Sequence, residues 1–139
     1  MATSLELKEL AEIRLEESRG LYANGHYVGT YYLAGYTIEL LLKHVICKKL
    51  GVDLFDNSPT SNKVAKAFYT HDLYSLFILS GVFDKLSKDK AASESLAKAY
   101  DKVENWNEGR RYELTCSQQT AKEFLKAVEL VRSWILDQL

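Results

Sequence analysis

The stretch 31-YYLAGYTIELLLKH-44 lies in the most hydrophobic part of the chain, yet it contains Glu39 and Lys43. Apolar residues occur on nearly every side of the surrounding segment 26–50, a pattern typical of a central helix that other helices cover. Gly51 follows this segment and can adopt the left-handed conformation that ends many helices. We therefore predict a central helix over residues 26–50, with a glutamate and a lysine inside it.

The polar and aromatic residues of this helix share one face. Their spacing of four, three and four residues aligns Tyr32, Tyr36, Glu39 and Lys43. One interpretation is a surface ion pair, which contributes about a few tenths of a kcal/mol. The other is a partly buried polar network, because a helix covered on most sides has little surface and a buried carboxylate needs partners. His71, which precedes the next predicted helix, is a candidate partner.

Helical signals dominate the rest of the chain. A capping box formed by Thr3 and Glu6 predicts the start of a first helix, and the pair 24-NG-25 predicts its end. A wide apolar stripe predicts a last helix that opens at Ser117 and packs along the central helix. The predicted helices cover residues 3–24, 26–50, 72–80, 90–106 and 117–139.

The predicted architecture is all-α, with residues 1–139 forming a single domain. Short connections favour antiparallel neighbours, so we expect an antiparallel up-and-down bundle of four long or medium helices and one short helix. Residues 52–70 are rich in Asp, Asn and Ser and contain the only proline, which predicts a long loop with one helical turn near residues 63–68. Gly29 and Gly35 lower helix propensity, so we interpret them as sites where another element approaches closely.

Composition and charge narrow the possible classes of protein. The chain has 139 residues and a net charge of −1, so no overall positive field attracts nucleic acid. Its start lacks the basic and apolar regions of a secretory signal, and no uninterrupted apolar run reaches the roughly 18 residues of a membrane span. We therefore expect a cytoplasmic protein that does not contact membranes.

The sequence predicts neither a metal nor a cofactor. His44 and Cys47 have a spacing that suits two ligands of one metal, but no second pair completes a site. Motifs for P-loop, Rossmann and serine-hydrolase chemistry are missing from the sequence. Cys47 and Cys116 are expected to stay reduced.

A second polar segment is 105-NWNEGRRYE-113. Its aromatic and guanidinium groups suit phosphates and unstacked bases. Alternatively, it is a connection whose aromatic residues complete the core and whose arginines pair with its own glutamates. The candidate binding residues in this segment are Trp106, Arg110, Arg111 and Tyr112.

The order of these features resembles the HEPN family of small prokaryotic helical domains. The resemblance is carried by 24-NGHYVGTYYLAGYTIELLLKH-44, 71-HDLYSL-76, 106-WNEGRRYE-113 and an amphipathic last helix. It implies an antiparallel bundle that is usually dimeric, occurs in toxin–antitoxin and defence systems, and is often encoded beside a minimal nucleotidyltransferase. Family members cleave RNA, or bind nucleotides or RNA.

The family's ribonucleases carry an Arg-x4–6-His motif near the start of the last helix, and this chain departs from it. After Arg110 and Arg111 the matching window contains Thr, Cys, Ser and Gln but no histidine. The resemblance therefore implies a catalytically degenerate module that binds nucleotide or RNA, or partners a nucleotidyltransferase.

Two alternatives remain open at this stage. One is a metal-independent ribonuclease that uses His71 or His26 as acid–base and Arg111 to hold the phosphate. The other is a purely structural helical dimer that buries exposed aromatic residues such as Tyr31 or Tyr36.

Overall fold

The computed structural model describes residues 2–56 and 66–139, without the side chains of Ala67, Arg110 and Arg111. All regular secondary structure in these ranges is helical. Two 3₁₀ turns accompany the α-helices, one at Lys66–Phe68 and one at Glu108–Tyr112. The α-helices are α1 (Ser4–Ala23), α2 (Tyr27–Leu50), α3 (Leu73–Leu79), α4 (Phe83–Ala92), α5 (Glu94–Glu104) and α6 (Gln118–Leu136).

Local capping signals place most helix ends where the sequence predicts them. The Thr3 hydroxyl accepts a hydrogen bond from the Glu6 backbone N–H at 3.3 Å, which completes the capping box of α1. The Ser117 hydroxyl accepts one from the Thr120 N–H at 3.0 Å and opens α6. Gly51 ends α2 with a φ of 69°, in the left-handed region. The predicted bounds of these helices are confirmed to within a few residues.

The predicted helix over residues 90–106 is wrong in its extent. Ser93 has φ −137° and ψ 109°, so the chain is extended there and two helices meet. Its hydroxyl accepts a hydrogen bond from the Leu96 N–H at 3.2 Å, as a serine N-cap does. The sequence also failed to predict α4. The described residues therefore form six α-helices where five were expected.

The predicted loop over residues 52–70 is described only in part. Within it, the structure has a 3₁₀ turn at Lys66–Phe68. The start of the helical turn predicted near residues 63–68 lies outside the described residues, as does the centre of the loop.

Helix α2 is the centre of the fold, and α1, α3, α6 and the 3₁₀ turn Glu108–Tyr112 all contact it. The all-α class is confirmed, as is the packing of the last helix on the central one. The antiparallel up-and-down order of the bundle stays a prediction. Trp106, just before the 3₁₀ turn, packs its ring directly on Gly35 of α2. Only glycine leaves room for this contact, because an added Cβ would lie 2.1 Å from the ring.

Candidate functional site

A buried carboxylate on α2 forms the centre of the candidate site. Glu39 is 2% exposed, so it does not lie on a solvated face. Its Oε1 lies 2.9 Å from Nδ1 of His71, and its Oε2 lies 3.4 Å from Nζ of Lys43. The structure thus brings Glu39, Lys43 and His71 into one hydrogen-bonded network, which offsets the cost of burying the charge.

The capped start of α3 orients His71 towards the Glu39 carboxylate. Asp72 is the N-cap of α3, and its carboxylate accepts a hydrogen bond from the Ser75 N–H at 3.0 Å. The Thr70 hydroxyl accepts another from the Asp72 N–H at 3.1 Å. These two bonds fix the backbone on both sides of His71, so the start of a short helix holds the ring against α2.

His71 also bridges to the 3₁₀ turn that carries the two arginines. Its Nε2 lies 3.4 Å from Oε2 of Glu108, the first residue of that turn. Ionised carboxylates only accept hydrogen bonds, and a neutral imidazole has a single N–H. The contact to Glu39 is a hydrogen bond, and the longer contact to Glu108 is an ion pair when the ring is protonated. The His71 side chain is 49% exposed, so solvent reaches the ring.

Aromatic rings pack beside this bridge. The ring centroids of Tyr32 and Tyr36 are 5.0 Å apart, and those of Tyr36 and Trp106 are 5.1 Å apart. Tyr36 also meets the His71 ring edge-on, with centroids 6.3 Å apart. Burial, together with the hydrogen bond to Tyr32 and the nearby Glu39 carboxylate, raises the pKa of the Tyr36 hydroxyl. The cluster forms an apolar wall around the buried ion pair.

The structure divides the candidate residues of the segment 105–113 into a buried and an exposed group. Trp106 is 3% exposed and packs on Gly35, so it completes the core and offers no free face for a base. Tyr112 is 74% exposed. Arg110 and Arg111 belong to the same 3₁₀ turn as Tyr112. The stacking role considered for Trp106 is therefore corrected to a structural one, whereas the Tyr112 side chain is mostly exposed.

Tyr31 also differs from its expected place. We expected an exposed ring, but Tyr31 is only 7% exposed and stacks on Phe124 with ring centroids 3.9 Å apart. Tyr36 is half-buried within the aromatic cluster. The two tyrosines offered as examples of a bare aromatic face therefore pack inside the monomer.

Sequence reasoning missed a cavity beside the 3₁₀ turn. It has a volume of about 340 Å³ and lies between the start of α2, the connection after the turn and the start of α6. Four of the side chains that line it carry a hydroxyl, namely those of Tyr31, Thr115, Ser117 and Thr120. The sequence signal for this cavity was the group of small hydroxyl residues after the arginines. In that window we had noted only that a histidine is missing. The full lining is Val28, Tyr31, Glu113, Thr115, Cys116, Ser117 and Thr120.

His44 and Cys47, the two residues considered as metal ligands, make other contacts. His44 directs Nδ1 at the start of α1, 2.6 Å from the Ser4 carbonyl oxygen and 3.0 Å from its hydroxyl. Cys47 is a free thiol whose pKa is raised by burial. Across residues 2–56 and 66–139, no three ligating side chains of His, Cys, Asp or Glu are grouped as a metal would require. In the same ranges, no helix combines the length and the apolar character needed to cross a bilayer.

Fold and site together define a small all-helical domain with a charged network anchored in its central helix. No family model, curated protein or solved structure matches this chain.

Proposed function

We propose that the chain is a HEPN-like module that binds a nucleotide or RNA through its 3₁₀ turn and the cavity beside it. In this proposal it is catalytically degenerate and acts in a toxin–antitoxin or defence system, where it pairs with a nucleotidyltransferase. The observation that carries the proposal is the cavity of about 340 Å³ that is lined in part by the connection following the 3₁₀ turn. Pockets for small ligands begin at about 300 Å³.

The first support is the way the arginine-bearing turn is held. Trp106 anchors the chain just before the turn by packing on Gly35. Glu108, the first residue of the turn, contacts His71 through its carboxylate. A turn that is fixed at its base places its outer residues with little loss of entropy on binding, which is the benefit of preorganisation.

The second support is the chemistry of the groups that the turn carries. Arg110 and Arg111 are adjacent, and guanidinium groups form paired hydrogen bonds with phosphates. Tyr112 adds an exposed ring on which a base can stack. Because the net charge of the chain is −1, binding depends on this local set and not on an overall positive field.

The third support is the polarity of the cavity. The hydroxyls of Thr115, Ser117 and Thr120 donate and accept hydrogen bonds, as a sugar or a base edge requires. The same cavity contains the carboxylate of Glu113, which accepts hydrogen bonds from sugar hydroxyls and base amines but repels phosphate. This arrangement favours a nucleoside in the cavity, with its phosphate outside it and towards the 3₁₀ turn.

The second candidate function is a metal-independent ribonuclease, and one contact favours it. The buried Glu39 carboxylate orients the ring of His71, which is half exposed, as a carboxylate orients a catalytic histidine. Against this role, Nε2 of His71 already faces Glu108 at 3.4 Å. A substrate would have to displace Glu108 before that nitrogen could take a proton.

Incubation of the purified protein with total RNA in EDTA, analysed on a denaturing gel, distinguishes the two functions. We expect no cleavage by the wild type, because the window after Arg111 lacks the histidine that the family's ribonucleases use. Cleavage by the wild type that is lost in both His71→Ala and Arg111→Ala would overturn the binding module in favour of the enzyme. Loss of cleavage in His26→Ala would instead give the acid–base role to that exposed histidine before α2, and Arg14→Ala, which removes an arginine paired with Glu17 on α1, is the matched control.

A further inference from the structure

His71 links the buried core of the fold to the surface turn that carries the two arginines. Its Nδ1 lies 2.9 Å from Oε1 of Glu39, whose side chain is 3% exposed. Its Nε2 lies 3.4 Å from Oε2 of Glu108, whose side chain is 45% exposed. One nitrogen of the ring thus contacts a carboxylate fixed inside α2, and the other contacts a carboxylate on the 3₁₀ turn.

The number of protons on the ring decides whether His71 attracts both carboxylates. An ionised carboxylate only accepts hydrogen bonds, so Nδ1 carries a hydrogen where it contacts Glu39. A neutral imidazole has no second N–H, and its Nε2 then presents a lone pair to the Glu108 carboxylate. The imidazolium form has a hydrogen on both nitrogens and a positive charge, so it forms an ion pair with Glu108. Only the protonated ring therefore holds the turn.

The charged and titratable groups that surround the ring come from two elements. They are Tyr36, Glu39 and Lys43 on α2 and Glu108 on the turn. Burial raises the pKa of the Tyr36 hydroxyl, so that group stays neutral where imidazoles titrate. Lys43 still pairs with Glu39 when His71 loses a proton, so the carboxylate remains a hydrogen-bond acceptor for Nδ1. Imidazole is the side chain whose charge ordinarily changes between about pH 5 and 8, so pH acts on this site through His71.

We propose that the His71–Glu108 bridge is a proton-dependent hold on the 3₁₀ turn Glu108–Tyr112, and that it regulates ligand binding there. At low pH the imidazolium attracts Glu108 and keeps the turn against α2. The held form has one more proton, so the hold is lost as the pH rises, and the turn then opens more often. The regulatory part rests on the proposed binding function, because a held turn loses less entropy when its ligand binds. Ligand binding should therefore weaken as the pH rises.

Tryptic cleavage tests the hold without any ligand. Trypsin cleaves after arginine, so cleavage after Arg110 and Arg111, followed by mass spectrometry, reports how often the turn opens. The rate is divided by that for a peptide of residues 105–116 at the same pH, which removes the pH dependence of trypsin itself. For the wild type this ratio should rise about two- to fivefold from about pH 5.5 to about pH 8.5, the effect of an ion pair between half-exposed groups.

Three variants separate the bridge from other causes of pH dependence. Glu108→Gln is the sharpest, because an amide donates to the neutral ring and accepts from the imidazolium, so the turn should be protected at both pH values. His71→Ala should leave the turn equally open at both, with circular dichroism melts to establish that this variant is folded. His26→Ala removes an exposed histidine before α2 and should keep the wild-type dependence.

Three outcomes of the cleavage experiment would overturn the proposal. They are a wild-type ratio that is the same at both pH values, a Glu108→Gln variant that keeps the wild-type dependence, and loss of that dependence in His26→Ala. Because Glu108→Gln leaves the buried Glu39–His71 contact in place, the test does not depend on the stability of His71→Ala.

RNA binding at the same two pH values distinguishes this proposal from the proposed function. Anisotropy with a labelled single-stranded RNA should show a loss of affinity at the higher pH that is about two- to fivefold larger for the wild type than for Glu108→Gln. Equal losses in the two proteins would overturn the regulatory role. If no RNA binds while the cleavage pattern is as expected, the binding function is wrong and the proton-dependent hold is supported.

Discussion

Gly35→Ala should lower the free energy of unfolding by about 3 kcal/mol, at the upper end of the usual cost of overpacking a core. A Cβ at this position would lie 2.1 Å from atoms of the Trp106 ring, far inside van der Waals contact. Trp106 is 3% exposed, so the ring has no space into which it can move without disturbing the core. Urea unfolding followed by circular dichroism measures the loss.

Two other glycines provide matched controls for this substitution. Nothing lies within 4 Å of a Cβ added at Gly20, so Gly20→Ala should stabilise α1 by roughly 0.5–1 kcal/mol. At Gly29 the added Cβ would lie 3.0 Å from the end of the Leu21 side chain, which can move aside. The change in the free energy of unfolding for Gly29→Ala should therefore lie between those for Gly35→Ala and Gly20→Ala. Equal effects at Gly35 and Gly20 would show that α2 and the 3₁₀ turn do not meet as described.

His71→Ala should lower the free energy of unfolding by about 2–3 kcal/mol, because it leaves a buried carboxylate with too few partners. The Glu39 side chain is 3% exposed, and its remaining partner, Lys43, is 3.4 Å away. Glu39→Leu should cost about as much, since His71 is half exposed and regains water but Lys43, 11% exposed, loses its carboxylate partner. The double variant should lose less stability than the sum of the two single losses.

A double-mutant cycle on Glu39 and His71 quantifies that contact. The coupling energy expected for a hydrogen-bonded pair of this kind is about 1–2 kcal/mol. His26→Ala is the control, since its side chain makes no capping hydrogen bond at the start of α2. Additive effects of the two substitutions, within about 0.5 kcal/mol, would be evidence against the network.

Local signals were enough to predict most of the helices. The capping box of Thr3 and Glu6 and the N-cap Ser117 each depend on residues within three positions, and these ends were predicted. Ser93 was missed because the residues after it, 94–104, continue an amphipathic pattern that masks a one-residue break. Sequence spacing cannot separate one long helix from two that meet at a serine.

The candidate site was predictable only along one helix. Tyr36, Glu39 and Lys43 are three and four residues apart, so their position on one helix face was predictable from the sequence. The contact between His71 and Glu108 joins residues distant in sequence, and the cavity depends on how two helix starts converge. The burial of Trp106 was ambiguous for the same reason, because it depends on which residue the ring meets across the bundle.

The central claim is that the 3₁₀ turn Glu108–Tyr112 binds a nucleotide or RNA, and a binding titration tests it most directly. Fluorescence anisotropy with a labelled single-stranded RNA, in EDTA and at several salt concentrations, compares the wild type with Arg110→Ala/Arg111→Ala. Arg14→Ala is the control, because that arginine pairs with Glu17 on α1, away from the turn. Competition with unlabelled mononucleotides measures whether a single nucleotide is enough for binding.

We predict that the wild type binds the RNA and that the double arginine variant binds about tenfold or more weakly. The slope of log affinity against log salt should become shallower by about 1.4, since two phosphate contacts on a single strand are lost. Arg14→Ala should behave as the wild type does. Absence of binding by the wild type, or equal binding by the double arginine variant, would contradict the account.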